Sequence, residues 1–318
     1  MDEQLPHDVV DVVIVGGGAA GLAAALMLAR ARRAVLVIDA GEPRNAPAAH
    51  VHGFLTRDGV APTELLALGR AEVRRYGAQV HDGRATRATR AEDRTFLVEL
   101  DDGRAVRARR LVVATGLVDE LPDIAGLAAR WGRDAVHCPY CHGWEVQDEA
   151  TVVIASGPMA VHQATLFRQW SADVTLCLHS GPVPTDAERA RLEVRGVRIV
   201  DGPVAEVVVA DDRITGVRLA DGRVLPAGAD VVGPRMLARS EVLASLGVVA
   251  VADPTGTGTS IPADTTGATA VPGVWVAGNV ADMRGQVLQA AAAGAMTGAA
   301  INADLIAEET DRALVAAG

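Results

Sequence analysis

A strand-turn-helix-strand unit that occurs twice constrains the fold of this chain more than any other feature. The first copy has apolar strands at residues 11–15 and 35–39, separated by a glycine turn and an Ala/Leu-rich helix. The second has apolar strands at residues 151–154 and 174–178, again with a helix between them. An apolar strand followed by a helix and a second strand is typical of a parallel βαβ unit. The repeat therefore predicts an α/β fold with two dinucleotide-binding, Rossmann-like domains of three layers.

The last third of the chain does not repeat this unit. It carries an apolar strand at residues 274–277, a turn at Gly278-Asn279, and a small-residue helix from about Gln286 to Asn302. A buried strand that ends at a helix suits a return into the sheet of the first domain. Segments rich in helix and strand breakers mark the two linkers between the domains. The linkers are residues 121–123 and 233–235, and the predicted domains are residues 1–120 with 246–318, and the inserted residues 121–245.

A Gly-x-Gly-x-x-Gly turn, formed by Gly16, Gly18 and Gly21, follows the first strand and opens a helix. Gly16 permits the tight turn, Gly18 lets the backbone approach a pyrophosphate, and Gly21 lets helix and strand pack closely. The N-terminus of the helix supplies N–H donors to the phosphates. Asp39 ends the next strand, where it would accept hydrogen bonds from an adenosine ribose. We interpret the turn as a dinucleotide site, and the alternative is a glycine-rich turn without a ligand.

Cys138 and Cys141 are spaced as Cys-x-x-Cys, with His137 and His142 on either side. Two thiols three positions apart can close a small disulfide, and neighbouring imidazoles lower a thiol pKa from about 8.5 toward neutrality. The alternatives are a zinc half-site, a buried pair and a c-type haem attachment. Zinc needs further ligands, and the remaining cysteine, Cys177, lies in an apolar run typical of a core. We therefore predict a redox pair and no metal site.

The composition limits the partners of the chain. A net charge of −10 argues against nucleic acid, whose binding calls for a basic patch. Residues 1–4 are acidic and polar, so they lack the basic region of a secretory signal. The uncharged stretch 12–29 is long enough to suggest a membrane span, but its glycine turn fits a buried strand-turn-helix better. We expect a cytoplasmic protein that binds neither nucleic acid nor membrane.

The order of the glycine turn, the Cys-x-x-Cys pair and the Gly278-Asn279 turn resembles low-molecular-weight thioredoxin reductases over nearly the whole chain. Those enzymes carry Asp after the second cysteine, where this chain has His142. The segment 137–145, with Arg44-Asn45 and residues 52–55, is more similar to the flavoprotein dithiol oxidases that close disulfides in gliotoxin, holomycin and romidepsin. This resemblance implies FAD as cofactor, a homodimer, a first cysteine that meets the substrate and a second that faces the flavin.

The resemblance also implies which residues contact FAD. Thr115-Gly116 and Gly278-Asn279 correspond to two further FAD-contacting segments, and Asn279 replaces the usual Asp that bonds the ribityl chain. The predicted FAD-binding residues are Gly16, Gly18, Ala19, Ala20, Gly21, Asp39, Ala40, Arg44, Asn45, Thr115, Gly116, Gly278, Asn279, Gln286 and Val287.

The second copy of the repeat lacks the features of a nicotinamide site. Gly16 to Asp39 and Ala155 to Leu178 both span 23 positions, so Ala155 replaces the first glycine and Leu178 replaces the ribose-binding acid. Leu178 cannot bond a ribose. No arginine follows that strand to hold a 2′-phosphate, since the next residues are His179 and Ser180. We predict that NADPH does not bind, and the alternative is binding through other residues.

Without a nicotinamide donor, electrons would flow from a dithiol to the flavin and then to O2, giving H2O2. We predict a dithiol oxidase with a small natural-product dithiol as substrate, which would also protect the producing cell. The Ala/Gly/Val/Arg bias is typical of a GC-rich bacterium and favours a dithiolopyrrolone of the holomycin type.

His142 is the predicted base because an imidazole with a pKa of about 6.5 can accept a thiol proton near neutral pH. His137 is its predicted helper, and the alternative is that either ring only packs beside the dithiol. Two other functions stay open at this point. One is a thioredoxin reductase fed by NADPH or ferredoxin, and the other is a flavoprotein redox sensor or drug-binding protein without turnover.

Overall fold

The structure is a computed structural model that describes residues 5–317. Residues 1–4, on which the prediction about a secretory signal depends, lie outside the described residues. The chain alternates strands and helices in the order expected for two βαβ-based domains. The elements are β1 (Val10–Val15), α1 (Ala19–Arg30), β2 (Val35–Asp39), α2 (Pro62–Arg75), β3 (Gln79–Asp82), β4 (Ala85–Arg90), β5 (Phe96–Leu100), β6 (Ala105–Val113), β7 (Leu117–Glu120), α3 (Leu127–Arg130), β8 (Ala135–Val136), α4 (Pro139–His142), β9 (Thr151–Ala155), α5 (Ala160–Phe167), β10 (Val174–Leu178), α6 (Asp186–Val194), β11 (Arg198–Asp201), β12 (Val204–Ala210), β13 (Arg213–Leu219), β14 (Val224–Pro226), β15 (Ala229–Val232), β16 (Arg235–Ala238), β17 (Val251–Ala252), β18 (Thr259–Ser260), β19 (Val274–Val276) and α7 (Val287–Ala317).

The first domain is built on a sheet of strand order β3-β2-β1-β6-β5-β4, with β19 beside β6. β1, β2, β3, β6 and β19 run parallel, so the last third of the chain adds a strand to this sheet through β19. One face packs against α1, α2 and α7, through buried residues such as Ile14, Leu28 and Ile301. β5 and β4 continue from β6 as antiparallel strands, and their side chains Ala88 and Phe96 pack with residues on the other face of β1 and β2.

The second domain repeats this arrangement. Its parallel sheet has the order β11-β10-β9-β15-β8. Helices α5 and α6 cover one face through Phe167 and Leu192. The antiparallel strands β12, β13 and β14 cover the other face, where Cys177 is a buried core residue as predicted. Each domain therefore has three layers, and the predicted fold class is confirmed.

The two domains are joined by a pair of antiparallel strands, β7 and β16. The chain leaves the first domain along β7 and returns along β16. Val242 and Leu243 follow in a short 3-10 helix, Glu241–Leu246, and both are buried in the first domain's core. The structure thus places the return at β16, ahead of the predicted boundary at residue 245. The sequence does not show this because the helix packs on β4, more than a hundred positions earlier.

Helix α7 extends well beyond the predicted end near Asn302. Among the described residues it is the one helix that is long and apolar enough to cross a membrane by length and composition. Its apolar face packs against α1, where Gly294 lies so close to Ala20 that a side chain at this position would overlap the backbone. Ile301 and Leu305 are fully buried in the same contact. Packing in the first domain's core therefore buries one face of the helix, while other apolar side chains such as Leu288 and Met296 are exposed.

Candidate active site

One cavity of about 580 Å³ extends from the glycine turn of the first domain to the Cys138–Cys141 pair of the second. Of the residues predicted to bind FAD, Gly21 lies beneath the turn against the Gly16 carbonyl group, and Gly278 lies behind it against Ala20. The other predicted residues line the cavity. They are Gly16, Gly18, Ala19, Ala20, Asp39, Ala40, Arg44, Asn45, Thr115, Gly116, Asn279, Gln286 and Val287, and the four predicted catalytic residues, His137, Cys138, Cys141 and His142, line it too.

The glycine turn has the geometry that a pyrophosphate requires. Gly16 has a φ of +105°, a conformation that side-chain-bearing residues rarely adopt, and a Cβ there would run into the Ala114 carbonyl group. Gly18 faces open space, so its backbone is accessible. α1 begins directly after it, and no side chain caps its first N–H groups. These unpaired donors at a helix N-terminus stabilise an anion, so the residues present fit a dinucleotide cofactor.

Two groups of the protein bind the Asp39 carboxylate. Its Oδ1 accepts a hydrogen bond from the Gly17 N–H at 3.0 Å, and its Oδ2 is paired with Arg70 of α2. A carboxylate oxygen can accept more than one hydrogen bond, so a ribose hydroxyl can still bind here. Sequence reasoning missed Arg70, because it belongs to a helix with no recognisable motif.

The dithiol lies at the start of α4. Cys138 and Cys141 form a disulfide with their Cα atoms 5.3 Å apart. Cys138 is the N-cap with extended backbone, and Pro139 occupies the first helical position, which favours the turn. Gln286, at the start of α7 in the first domain, points its Nε2 donor at both sulfurs, 3.7 Å from Cys141 Sγ and 3.9 Å from Cys138 Sγ. The disulfide therefore faces the first domain's half of the cavity.

The two histidines beside the dithiol have different environments. Both ring nitrogens of His142 are shielded from solvent and lack a hydrogen-bond partner among the described residues. Burial lowers the pKa of His142, Glu145 opposes this shift and His52 adds to it. Burial lowers the pKa of His137 much further, to about 4, and its ring stacks on Trp131 at 5.7 Å. His142 is therefore the better proton acceptor, while His137 stays neutral at physiological pH.

With this geometry established, comparison with known proteins identifies the family. Residues 10–296 match the profile of the pyridine nucleotide-disulphide oxidoreductases. The chain belongs to this family. Its members generally bind FAD and NADPH.

Individual relatives show which oxidoreductases of the family this chain is similar to. It is 30% identical over 310 residues to thioredoxin reductase sirT of Leptosphaeria maculans, covering 92% of this chain and 94% of the relative. The solved structure of HlmI is 46% identical, with a TM-score of 0.92, and covers 99% of this chain and 98% of that one. An oxidoreductase from Agrobacterium tumefaciens is 38% identical, with a TM-score of 0.87 over 94% and 99% of the two chains. The predicted resemblance to thioredoxin reductase-like flavoproteins is confirmed.

Several residues that line the cavity of this oxidoreductase could not be recognised as site residues from the sequence. Asp119 of β7 receives two hydrogen bonds from Arg44, at 2.8 and 2.6 Å. Arg239 follows β16, donates to the Glu42 carbonyl oxygen at 3.2 Å, and accepts a hydrogen bond from the Thr115 hydroxyl through its own carbonyl oxygen. These residues lie on the connections between the domains. Only the packing of β7 against β16 brings them to the cofactor side.

The turn of the second domain differs from the first. Ala155 does not adopt the positive φ of Gly16, and its carbonyl oxygen accepts hydrogen bonds from the Ser180 and Gly181 N–H groups at 3.0 and 2.7 Å. The His179 ring accepts a hydrogen bond from the Val204 N–H at 2.9 Å. The segment after β10 is therefore held against the turn at Ala155 and against β12.

Proposed function

We propose that this oxidoreductase is an FAD-dependent dithiol oxidase that closes an intramolecular disulfide in a small natural-product dithiol and produces H2O2 from O2. The observation that carries the proposal is the single cavity shared by the glycine turn and the Cys138–Cys141 disulfide. The end of β10 and the residues after it support the proposal, because Leu178 replaces the ribose-binding acid and His179 and Ser180 replace the arginines of an ordinary NADPH site.

The residues that would hold FAD follow from the cavity lining. The N–H groups at the start of α1 would bind the pyrophosphate, Asp39 the adenosine ribose, and Asn279 and Gln286 the end nearest the dithiol. When bound, FAD supplies the acceptor for two electrons and two protons of the reduced cysteine pair and passes them to O2 as H2O2.

The cysteine pair carries out thiol–disulfide exchange. A substrate thiolate attacks Cys138 Sγ, so a mixed disulfide forms, the Cys138–Cys141 bond breaks and Cys141 leaves as a thiolate. The second substrate thiolate then attacks the substrate sulfur of the mixed disulfide, and the cyclic disulfide departs. The substrate loses two electrons, the enzyme disulfide gains them, and the two thiol protons end on Cys138 and Cys141.

His142 moves these protons. Because burial lowers the pKa of its imidazole and no group among residues 5–317 bonds its ring nitrogens, it can take the proton of the incoming thiol. The resulting imidazolium then gives the proton to the departing Cys141 thiolate. His137, with a pKa near 4, is too weak a base for this role and acts by packing beside Cys138.

Exposed aromatic side chains next to the dithiol can bind a substrate that contains a small ring system. Tyr140 and Trp144 are 64% and 71% exposed and flank Cys141 on α4 and the following turn. Trp170 packs edge-on behind Tyr140, which holds that ring in place. A flat heterocyclic dithiol could stack on this surface with its sulfurs near Cys138. A dithiolopyrrolone is such a compound, and its oxidation would also protect the cell that makes it.

The names of the relatives favour one rival, a reductase fed by NADPH or ferredoxin. The deciding experiment adds a small dithiol to FAD-loaded protein without nicotinamide and follows O2 uptake and H2O2. We expect one H2O2 for each disulfide formed, and no bleaching of the flavin by NADPH under anaerobic conditions. Absence of O2 uptake together with rapid bleaching by NADPH would replace the oxidase with the reductase. Absence of both reactions would indicate a sensor or binding protein.

A further inference from the structure

His52 lies between two carboxylates that come from different domains. Its Nδ1 is 3.2 Å from Asp58 Oδ2, within the loop between β2 and α2. Its Nε2 is 3.1 Å from Glu145 Oε1, on the turn after α4. Asp58 is fixed in turn, because its other oxygen accepts a hydrogen bond from the Gly53 N–H at 2.8 Å. The first domain's loop therefore holds an imidazole directly against the segment that carries the dithiol.

Glu145 stands three residues after His142, and His52 and His142 line the same cavity. His142 has no hydrogen-bond partner among the described residues, which leaves nearby charge to decide when its ring is protonated. Glu145 raises the pKa of His142, and His52 lowers it. The two groups thus act on the same ring with opposite sign.

We propose that His52 and Glu145 form a positioning pair that sets the proton affinity of His142 during thiol–disulfide exchange. The proposal rests on the proposed function, in which His142 is the base. Glu145 favours the imidazolium that forms on His142 as the substrate S–H bond breaks. His52 lies against Glu145 and opposes its effect, which favours release of that proton to the Cys141 thiolate.

Other titratable groups face this pair. His50 contacts the ring of His52 edge-on, with the ring centres 5.9 Å apart. His137 interacts electrostatically with His142, and Arg44 and Asp119 interact with His137. Arg44 and Asp119 are paired with each other. Burial lowers the pKa of His137 to about 4, so His137 supplies no variable charge near neutral pH.

The test is the titration of the His142 ring by NMR in FAD-loaded protein, assigned with His142→Gln. We expect the midpoint to rise in His52→Gln, which leaves Glu145 uncompensated, and to fall in Glu145→Gln. Each change in midpoint should be roughly half a pH unit, the size of one partly exposed charge interaction. Asp58→Asn, which loosens His52 without removing it, should give a smaller rise. His162→Gln and Glu72→Gln, two exposed positions, serve as matched controls and should leave the midpoint unchanged.

A second readout is the pH profile of the anaerobic reaction of the oxidised enzyme with dithiothreitol, which should move with the NMR midpoint. Changes of the same sign in His52→Gln and Glu145→Gln, or no change in either, would overturn the proposal. A wrong oxidase assignment gives a different result. O2 uptake is then absent, but the opposite changes in the His142 midpoint in His52→Gln and Glu145→Gln remain.

Discussion

Replacing Asp230 by valine is expected to stabilise the second domain, by an amount that grows with pH. Asp230 lies in β15, is fully buried, and neither of its oxygens has a hydrogen-bond partner among the described residues. Burial and the nearby Asp134 carboxylate raise the pKa of Asp230 well above its usual value. The folded protein therefore keeps this carboxyl group neutral at a pH where the unfolded chain ionises it.

The size of the effect follows from proton linkage. In the unfolded chain the carboxyl group ionises at about pH 3.9, as an ordinary aspartate does. Above that pH the native state holds one more proton than the unfolded state, so the free energy of unfolding falls by about 1.4 kcal/mol per pH unit until the raised pKa of Asp230 is reached. Below roughly pH 4 this contribution vanishes. Removing an unpaired buried polar group should add about 1–3 kcal/mol at every pH.

The assay is urea unfolding, followed by tryptophan fluorescence and carried out at two chosen pH values, 4.5 and 7.5. We expect the advantage of Asp230→Val over wild type to be larger at the higher pH by about 1.4 kcal/mol or more, the free energy of a tenfold change in proton affinity. Asp123→Val, at an exposed position, is the control and should stay within about 0.5 kcal/mol of wild type. An equal advantage at both pH values, or a less stable Asp230→Val protein at pH 7.5, would refute the reasoning.

Four further predictions concern the active site. Cys138→Ser and Cys141→Ser should each abolish turnover with a small dithiol, measured as O2 uptake, and full activity in either would exclude the exchange relay. His142→Gln should lower kcat/KM by about 10²–10⁴-fold, the usual contribution of a general base, whereas His137→Gln should cost much less; equal losses would contradict the assigned roles. Burial lowers the pKa of His142, so as the pH is lowered wild-type kcat/KM should stay high to below pH 6.5 and fall only when His142 becomes protonated. A fall in kcat/KM that already begins above pH 7 during acidification would argue against this base. Gln286→Leu should slow anaerobic reduction of the flavin by dithiothreitol in FAD-loaded protein, measured by stopped-flow absorbance, and an unchanged rate would show that Gln286 does not act on the dithiol.

Local patterns in the sequence were enough to predict much of this protein. The doubled βαβ unit, the glycine turn at Gly16 and the Cys138–Cys141 spacing depend on residues close together in the chain. Strand and helix periodicity and the conformational demands of a turn act over this short range. The same reasoning identified Leu178 in place of a ribose-binding acid, because the two copies of the repeat align without a gap.

Contacts between distant segments were decided only by the tertiary structure. Gln286 meets Cys141 across 145 positions, Arg70 pairs with Asp39, and His52 reaches Glu145 across the two domains. None of these pairs has a spacing that a pattern could reveal. The Gln286–Cys141 and His52–Glu145 pairs depend on how the two domains pack and on where the β7–β16 connection returns the chain, and the Arg70–Asp39 pair depends on how α2 packs against the first sheet. The sequence therefore shows which chemistry each residue type can perform, whereas tertiary packing decides which partner lies against it and changes its pKa or position.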